Sequence, residues 1–201
     1  MTEKRNFRQN AYYHVIMRGN NRRFIFRTKE DMVELERALM HAYLKYPFKL
    51  LAYCFMTNHY HLLIRAEKDP LSKIMAIVNR RYSDSYSSRY GHIGRIYQKR
   101  YFAKEVDGPL GLLTVSSYIH RNPIETMVPM VAELADFPYS SYPLYVNDTL
   151  PAPPYLDRSI MKELLPHGFD KTNAEYARYC LEYRVNVEED RHVPDDGVPE
   201  M

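Results

Sequence analysis

Phe48-Lys49-Leu50-Leu51-Ala52-Tyr53-Cys54-Phe55-Met56-Thr57-Asn58-His59-Tyr60-His61-Leu62-Leu63-Ile64-Arg65-Ala66 reads as two strands and a turn. Aromatic and aliphatic side chains fill Phe48 to Phe55 and again His59 to Ala66, and such residues suit a pleated, buried surface. Met56-Thr57-Asn58 separates the two runs as a tight turn, which makes them a hairpin.

Upstream, residues 11–18 are rich in β-branched and aromatic residues and read as another strand, ended by Gly19-Asn20-Asn21. Thr28 suits an N-cap, with Glu30 and Asp31 in the turn after it. Met32, Leu35, Leu39, Ala42 and Tyr43 then recur at helical spacing, which predicts a helix over about 29–45, stopped by Pro47. Downstream, Asp69-Pro70 opens a helix marked by Leu71, Ile74, Ile77, Val78, Arg81 and Tyr82, running to about residue 88. Gly91 and Gly94 close it. Residues 95–106 alternate and predict a fourth strand, and residues 110–120 predict a helix ending near Pro123.

The order βαββαβ plus a helix predicts an α+β, ferredoxin-like antiparallel sheet with helices on one face. Beyond it, residues 138–143 and 151–154 read as proline-marked loops, and helices are expected over 159–165 and 173–183. Residues 188–200 hold six acids and one arginine and are expected to form a mobile tail. The expected organisation is a catalytic domain over 1–148, a helical extension over 149–187 and the acidic tail over 188–201.

The 201 residues are 45% hydrophobic and 26% charged, a globular composition. No apolar run approaches the ~20 residues that span a bilayer, and the N-terminal sequence has no signal-peptide core. Cys54 and Cys180 stand far apart, which argues against a disulfide scaffold or a thiolate zinc finger and for a cytoplasmic protein.

The net charge of +3 is unevenly spread: residues 1–110 carry +11 and residues 111–201 carry −8. A basic half suits a polyanion, because neutralised phosphates release counterions. Several of the 19 tyrosines sit beside cations, as in Arg95-Ile96-Tyr97-Gln98-Lys99-Arg100-Tyr101. Rings among cations suit unpaired bases, although each ring could equally be a packing residue. The candidate phosphate contacts are Arg18, Arg22, Arg23, Arg80, Arg81, Lys99 and Arg100, with Tyr97 as a stacking candidate.

His59 and His61 are two apart on a strand, so both imidazoles project to one face, where they could hold a divalent cation. A pair at that spacing can also be structural. In Tyr118-Ile119-His120-Arg121-Asn122-Pro123 the tyrosine and asparagine are one helical turn apart. Asn122 fits a third ligand, with Tyr118 facing what the metal polarises. It also fits a helix cap beside a core tyrosine. His14 and His120 are two further nearby donors.

Taken together, Tyr13-His14-Val15-Ile16-Met17-Arg18-Gly19-Asn20, Met56-Thr57-Asn58-His59-Tyr60-His61-Leu62-Leu63-Ile64, Tyr97-Gln98-Lys99-Arg100-Tyr101-Phe102, Tyr118-Ile119-His120-Arg121-Asn122-Pro123 and Tyr139-Ser140-Ser141-Tyr142 resemble a single-tyrosine HUH transposase of the REP-associated, IS200-like branch. The likeness covers about residues 11–145. Tyr97 and Tyr139 stand where tryptophan is expected, a change that keeps an aromatic ring. The resemblance implies metal-dependent nicking and strand transfer on single-stranded, hairpin-containing repeat DNA, by a monomer or homodimer. It implies Tyr118 as nucleophile, forming a 5′-phosphotyrosine, and His59, His61 and Asn122 as ligands of Mg2+ or Mn2+. A mixed imidazole and amide site with open positions suits those ions. A tyrosine hydroxyl with an ordinary pKa near 10 needs help to act as a nucleophile at neutral pH. Two other readings compete: a non-catalytic module that binds a DNA or RNA hairpin on the same sheet, and a protein whose histidines hold a structural ion. An RNA-binding sheet would carry a Lys/Arg-Gly-Phe-type aromatic signature, which this chain lacks.

Overall fold

The computed structural model describes residues 7–183. Strands β1 (Tyr12–Arg18), β2 (Phe48–Phe55), β3 (His59–Ala66) and β4 (Phe102–Val106) form one sheet in the order β2-β3-β1-β4, with every neighbouring pair antiparallel. Helices α1 (Lys29–Lys45) and α2 (Leu71–Tyr90) supply the two crossovers. This is the ferredoxin-like arrangement the sequence predicts.

Helices α1 and α2 pack together on one face. Their Leu35, Leu39, Ile74 and Val78 meet Val15 and Met17 of β1 and Tyr60, Leu62 and Ile64 of β3 in a first core. The start of α1 is tied to the end of α2 through Asp31, which is buried. Its carboxylate accepts from the Arg27 and Thr28 N–H groups (2.8 and 3.1 Å), from Tyr90 Oη (2.7 Å) and from the Arg89 guanidinium (3.0 Å).

The opposite face is covered as well. Helices α3 (Gly108–Arg121), α4 (Tyr142–Val146), α5 (Ser159–Glu163) and α6 (Asn173–Glu182) bury Leu51, Cys54 and Leu63 under Leu112, Ile119, Tyr142, Tyr145, Met161 and Tyr176. Strands β2 and β3 are therefore enclosed on both faces, which is why they read as nearly continuous apolar runs. The C-terminal segments also cover the edge of β2. Leu50 N–H donates to the Tyr155 carbonyl (2.7 Å), and Phe55 N–H donates to the Tyr139 carbonyl (2.9 Å). An otherwise open strand edge is thereby paired.

The structure departs from the periodicity in two places. The fourth strand begins at Phe102, not at residue 95. Residues 95–101 leave the sheet because Ile96 and Tyr101 turn into the first core, and only Tyr97 bridges to Gly19. Residues 142 and 143, expected as loop, instead open α4, with Pro143 in its first turn, where a proline costs no hydrogen bond. The acidic tail lies outside the described residues. Among those residues no helix is long and apolar enough to cross a membrane.

Candidate active site

Alternation along β1 and β3 decides which side chains reach α3. Tyr13, Val15 and Met17 face the first core, so His14 and Arg18 face the other way, together with His59 and His61 of β3. Arg18 pairs directly with His59 in the register, and His14 reaches His61 diagonally. Helix α3 lies over these groups. The Tyr118 ring stands edge-on to His61 and His14, with centroids 5.6 and 5.9 Å away. One turn later Asn122 ends the helix before Pro123 and donates from Nδ2 to the Tyr118 carbonyl (2.9 Å). Its carboxamide lies near enough to His59 to influence that ring. Tyr118, Asn122, His59 and His61 are thus brought together.

The imidazoles are held by partners. His59 and His61 have ring centroids 4.8 Å apart. His61 Nδ1 lies 2.9 Å from His14 Nε2, and His59 Nδ1 lies 2.6 Å from Asn58 Oδ1. His61 Nε2 is buried with no hydrogen-bond partner. Burial, aided by Arg18, holds the His59 pKa down to about 4, with the nearby Asn122 carboxamide opposing. Burial, with His59, His14 and Arg18 adding repulsion, holds His61 well below its ordinary value. Burial and Lys104 lower His14 to about 4. All three rings are neutral at pH 7, the form that ligates metal.

Among the described residues no group of three or more His, Cys, Asp or Glu side chains is arranged to hold a metal ion. The expected donor set does not require one, since its third member is a carboxamide. The residues present fit a divalent ion: two neutral imidazoles, an adjacent amide, and a buried ring nitrogen that nothing in the protein satisfies.

His61 lies beneath α3 and is only 1% exposed, while His59 is half-buried. One expectation is corrected: His120 cannot complete this site. Two residues beyond Tyr118, it points into the second core, where its Nε2 meets Ser141 Oγ (2.8 Å) and its ring packs against Tyr142, Tyr145 and Tyr176. Burial lowers its pKa to about 3.

The basic candidates divide into two groups. Arg18, Arg22, Arg23, Tyr97, Lys99 and Arg100 gather at the end of β1. There Asn20 N–H donates to the Ile96 carbonyl (2.7 Å) and Gln98 N–H to the Arg18 carbonyl (3.1 Å), laying residues 96–98 against the turn after β1. Arg80 and Arg81 are exposed on α2, and Arg80 lies 3.7 Å from Asp84. A cavity of about 870 Å³ separates α2 from the 94–101 segment, lined by Ser72, Met75 and Asn79 on one side and by Arg95, Tyr97, Lys99 and Arg100 on the other. The Tyr97 hydroxyl is buried without a partner, and its pKa is well above the usual value because of that burial, so only part of the ring faces the cavity. Sequence reasoning assigned no role to Asn58 or Arg95. The one available signal for Asn58 was its place immediately before the His-x-His run.

The sheet thus presents paired histidines beneath a tyrosine carried on α3. Residues 7–122 match the family model described as transposase IS200 like, and the chain belongs to that family. Among solved structures it is similar to a REP-associated tyrosine transposase bound to a REP hairpin. The identity is 20%, the match covers 78% of this chain and 94% of that one, and the TM-score is 0.60. A more distant likeness, at 16% identity and a TM-score of 0.41, is to a Deinococcus radiodurans R1 protein assigned as a transposase, covering 60% of this chain and 97% of that one. No curated protein sequence matches the chain.

Proposed function

We propose that this chain is a metal-dependent endonuclease and strand transferase that acts on single-stranded, hairpin-containing DNA through Tyr118. The observation that carries this reading is the convergence of the Tyr118 ring, with Asn122 one helical turn after it, on the His59 and His61 pair. The hairpin bound to the similar transposase supports the substrate class.

His59, His61 and Asn122 would hold Mg2+ or Mn2+, which when bound supplies positive charge beside the scissile phosphate. Tyr118 Oη attacks phosphorus, the bond to the 3′ oxygen breaks, and the tyrosine's proton is lost as the 3′ hydroxyl forms. The 5′-phosphate remains on Tyr118. A second 3′ hydroxyl can reverse the step and reseal a strand without ATP, because the phosphodiester bond is conserved in the covalent link. Arg18, beside His59, adds a fixed cation, and helix α3 holds the nucleophile in one orientation.

Incubation with hairpin DNA and Mn2+ should give a covalent protein–DNA adduct. Tyr118→Phe removes only the hydroxyl and should keep binding while losing the adduct. An adduct that survives in Tyr118→Phe and maps to another tyrosine defeats the assignment. Tight binding by the parent protein with no adduct supports the non-catalytic reading instead.

A further inference from the structure

We propose that His14 and Asn58 are positioning residues that set the tautomers of His61 and His59, and that His14 is not itself a metal ligand. The proposal rests on the metal reading above. An imidazole ligates through a lone pair on one nitrogen, so its ring proton must sit on the other, where a neighbouring acceptor holds it.

For His59 that acceptor is Asn58 Oδ1, 2.6 Å from Nδ1. The orientation of the amide follows from its other end: Asn58 Nδ2 donates to the Arg22 carbonyl at 3.4 Å, which leaves the oxygen for His59. An amide oxygen only accepts, so His59 Nδ1 carries the proton and Nε2 keeps the lone pair.

For His61 the acceptor is His14 Nε2, 2.9 Å from Nδ1. Either ring could donate across that contact, and His61 Nε2 decides between them. It is buried with no partner, and a buried N–H without an acceptor is the rarer and costlier state. The proton therefore belongs on His61 Nδ1. The Nε2 lone pair of His14 is then occupied in accepting it. Both candidate ligands are left with Nε2 as the basic nitrogen, one through a turn residue and one through a neighbouring strand.

Two measurements on the full chain test this. Long-range 15N–1H spectra of the metal-free protein should show His59 and His61 protonated at Nδ1. Electron paramagnetic resonance of free Mn2+ should show binding weakened 10- to 100-fold in His14→Phe and Asn58→Ala, the usual range for loss of such a partner. His14→Gln and Asn58→Asp, which restore an acceptor, should recover most of the affinity and the Nδ1–H signal. An Nε2–H tautomer of His61 in the parent protein overturns the proposal and needs no variant to fold. So does unchanged Mn2+ affinity in His14→Phe and Asn58→Ala. Loss of Mn2+ binding in both His14 variants, with the His61 tautomer unchanged, overturns it in favour of direct ligation by His14. A parent protein that binds no Mn2+ defeats the metal reading, and the ring spectra alone then judge the tautomers.

Discussion

Burial favours the neutral, ligating form of His61, and it also gives that ring structural weight. His61 is enclosed beneath Tyr118 and bonded to His14. Replacing both histidines by alanine should abolish metal-dependent cleavage. It should also lower stability by roughly 2–3 kcal/mol, since the change leaves a cavity and an unpaired His14 nitrogen. Urea titration and a nicking assay read the two effects separately, and undiminished nicking refutes the ligand assignment. At this scale the sequence was informative where spacing sufficed: i and i+2 on a strand for the histidines, i and i+4 on a helix for Tyr118 and Asn122. It was silent on the His14–His61 bond, which joins residues 47 apart through cross-strand register.

The element that links the site to the basic surface is the turn after β1. Gly19 is extended, and its constraint is space: a Cβ there would stand 2.1 Å from the Arg23 carbonyl oxygen and 2.9 Å from Ile25. Backbone atoms cannot yield as a flexible side chain does. Asn21 and Arg22 meanwhile adopt φ of +51° and +56°, a region that side chains other than glycine enter at a cost. Gly19→Ala should therefore displace the turn, lower stability by about 2 kcal/mol and weaken DNA binding. Thermal melts and hairpin titrations of the variant check this, and wild-type behaviour in both would show that the turn absorbs the methyl group. The long elements were legible because each carries its own period. The ragged start of β4 was not, because residues 95–101 look alternating until Ile96 and Tyr101 are drawn into the first core.

Across the whole molecule, charge should govern affinity. The basic half of the chain supplies two exposed arginine and lysine groups, one following the turn after β1 and one on α2. The log of binding constant against log of salt should be steep, and each lost phosphate contact should lower the slope by roughly 0.7 for a single strand. Lys99→Ala/Arg100→Ala and Arg80→Ala/Arg81→Ala should each reduce it by about 1.4 if both members touch phosphates. An unchanged slope in one double variant removes that group from the DNA path. An unchanged slope in both removes the basic surface as a whole.

The sequence by itself determined the order of elements, the ferredoxin-like class, and the residue types that converge as tyrosine, asparagine and paired histidines. The elements rest on short-range periodicity, capping and turn chemistry, which operate over a few residues, whereas the joint role of those side chains came from the resemblance to the transposase family. Tertiary structure alone decided that the second face of the sheet is closed by α3 to α6, that His61 is buried and paired with His14, and that His120 faces away from the site. It also set Lys99 and Arg100 across a cavity from α2. The physical reason is that burial and cross-strand contact depend on register and on which segments return to cover a face. Those are sums over residues tens of positions apart, and no local pattern in the chain encodes them.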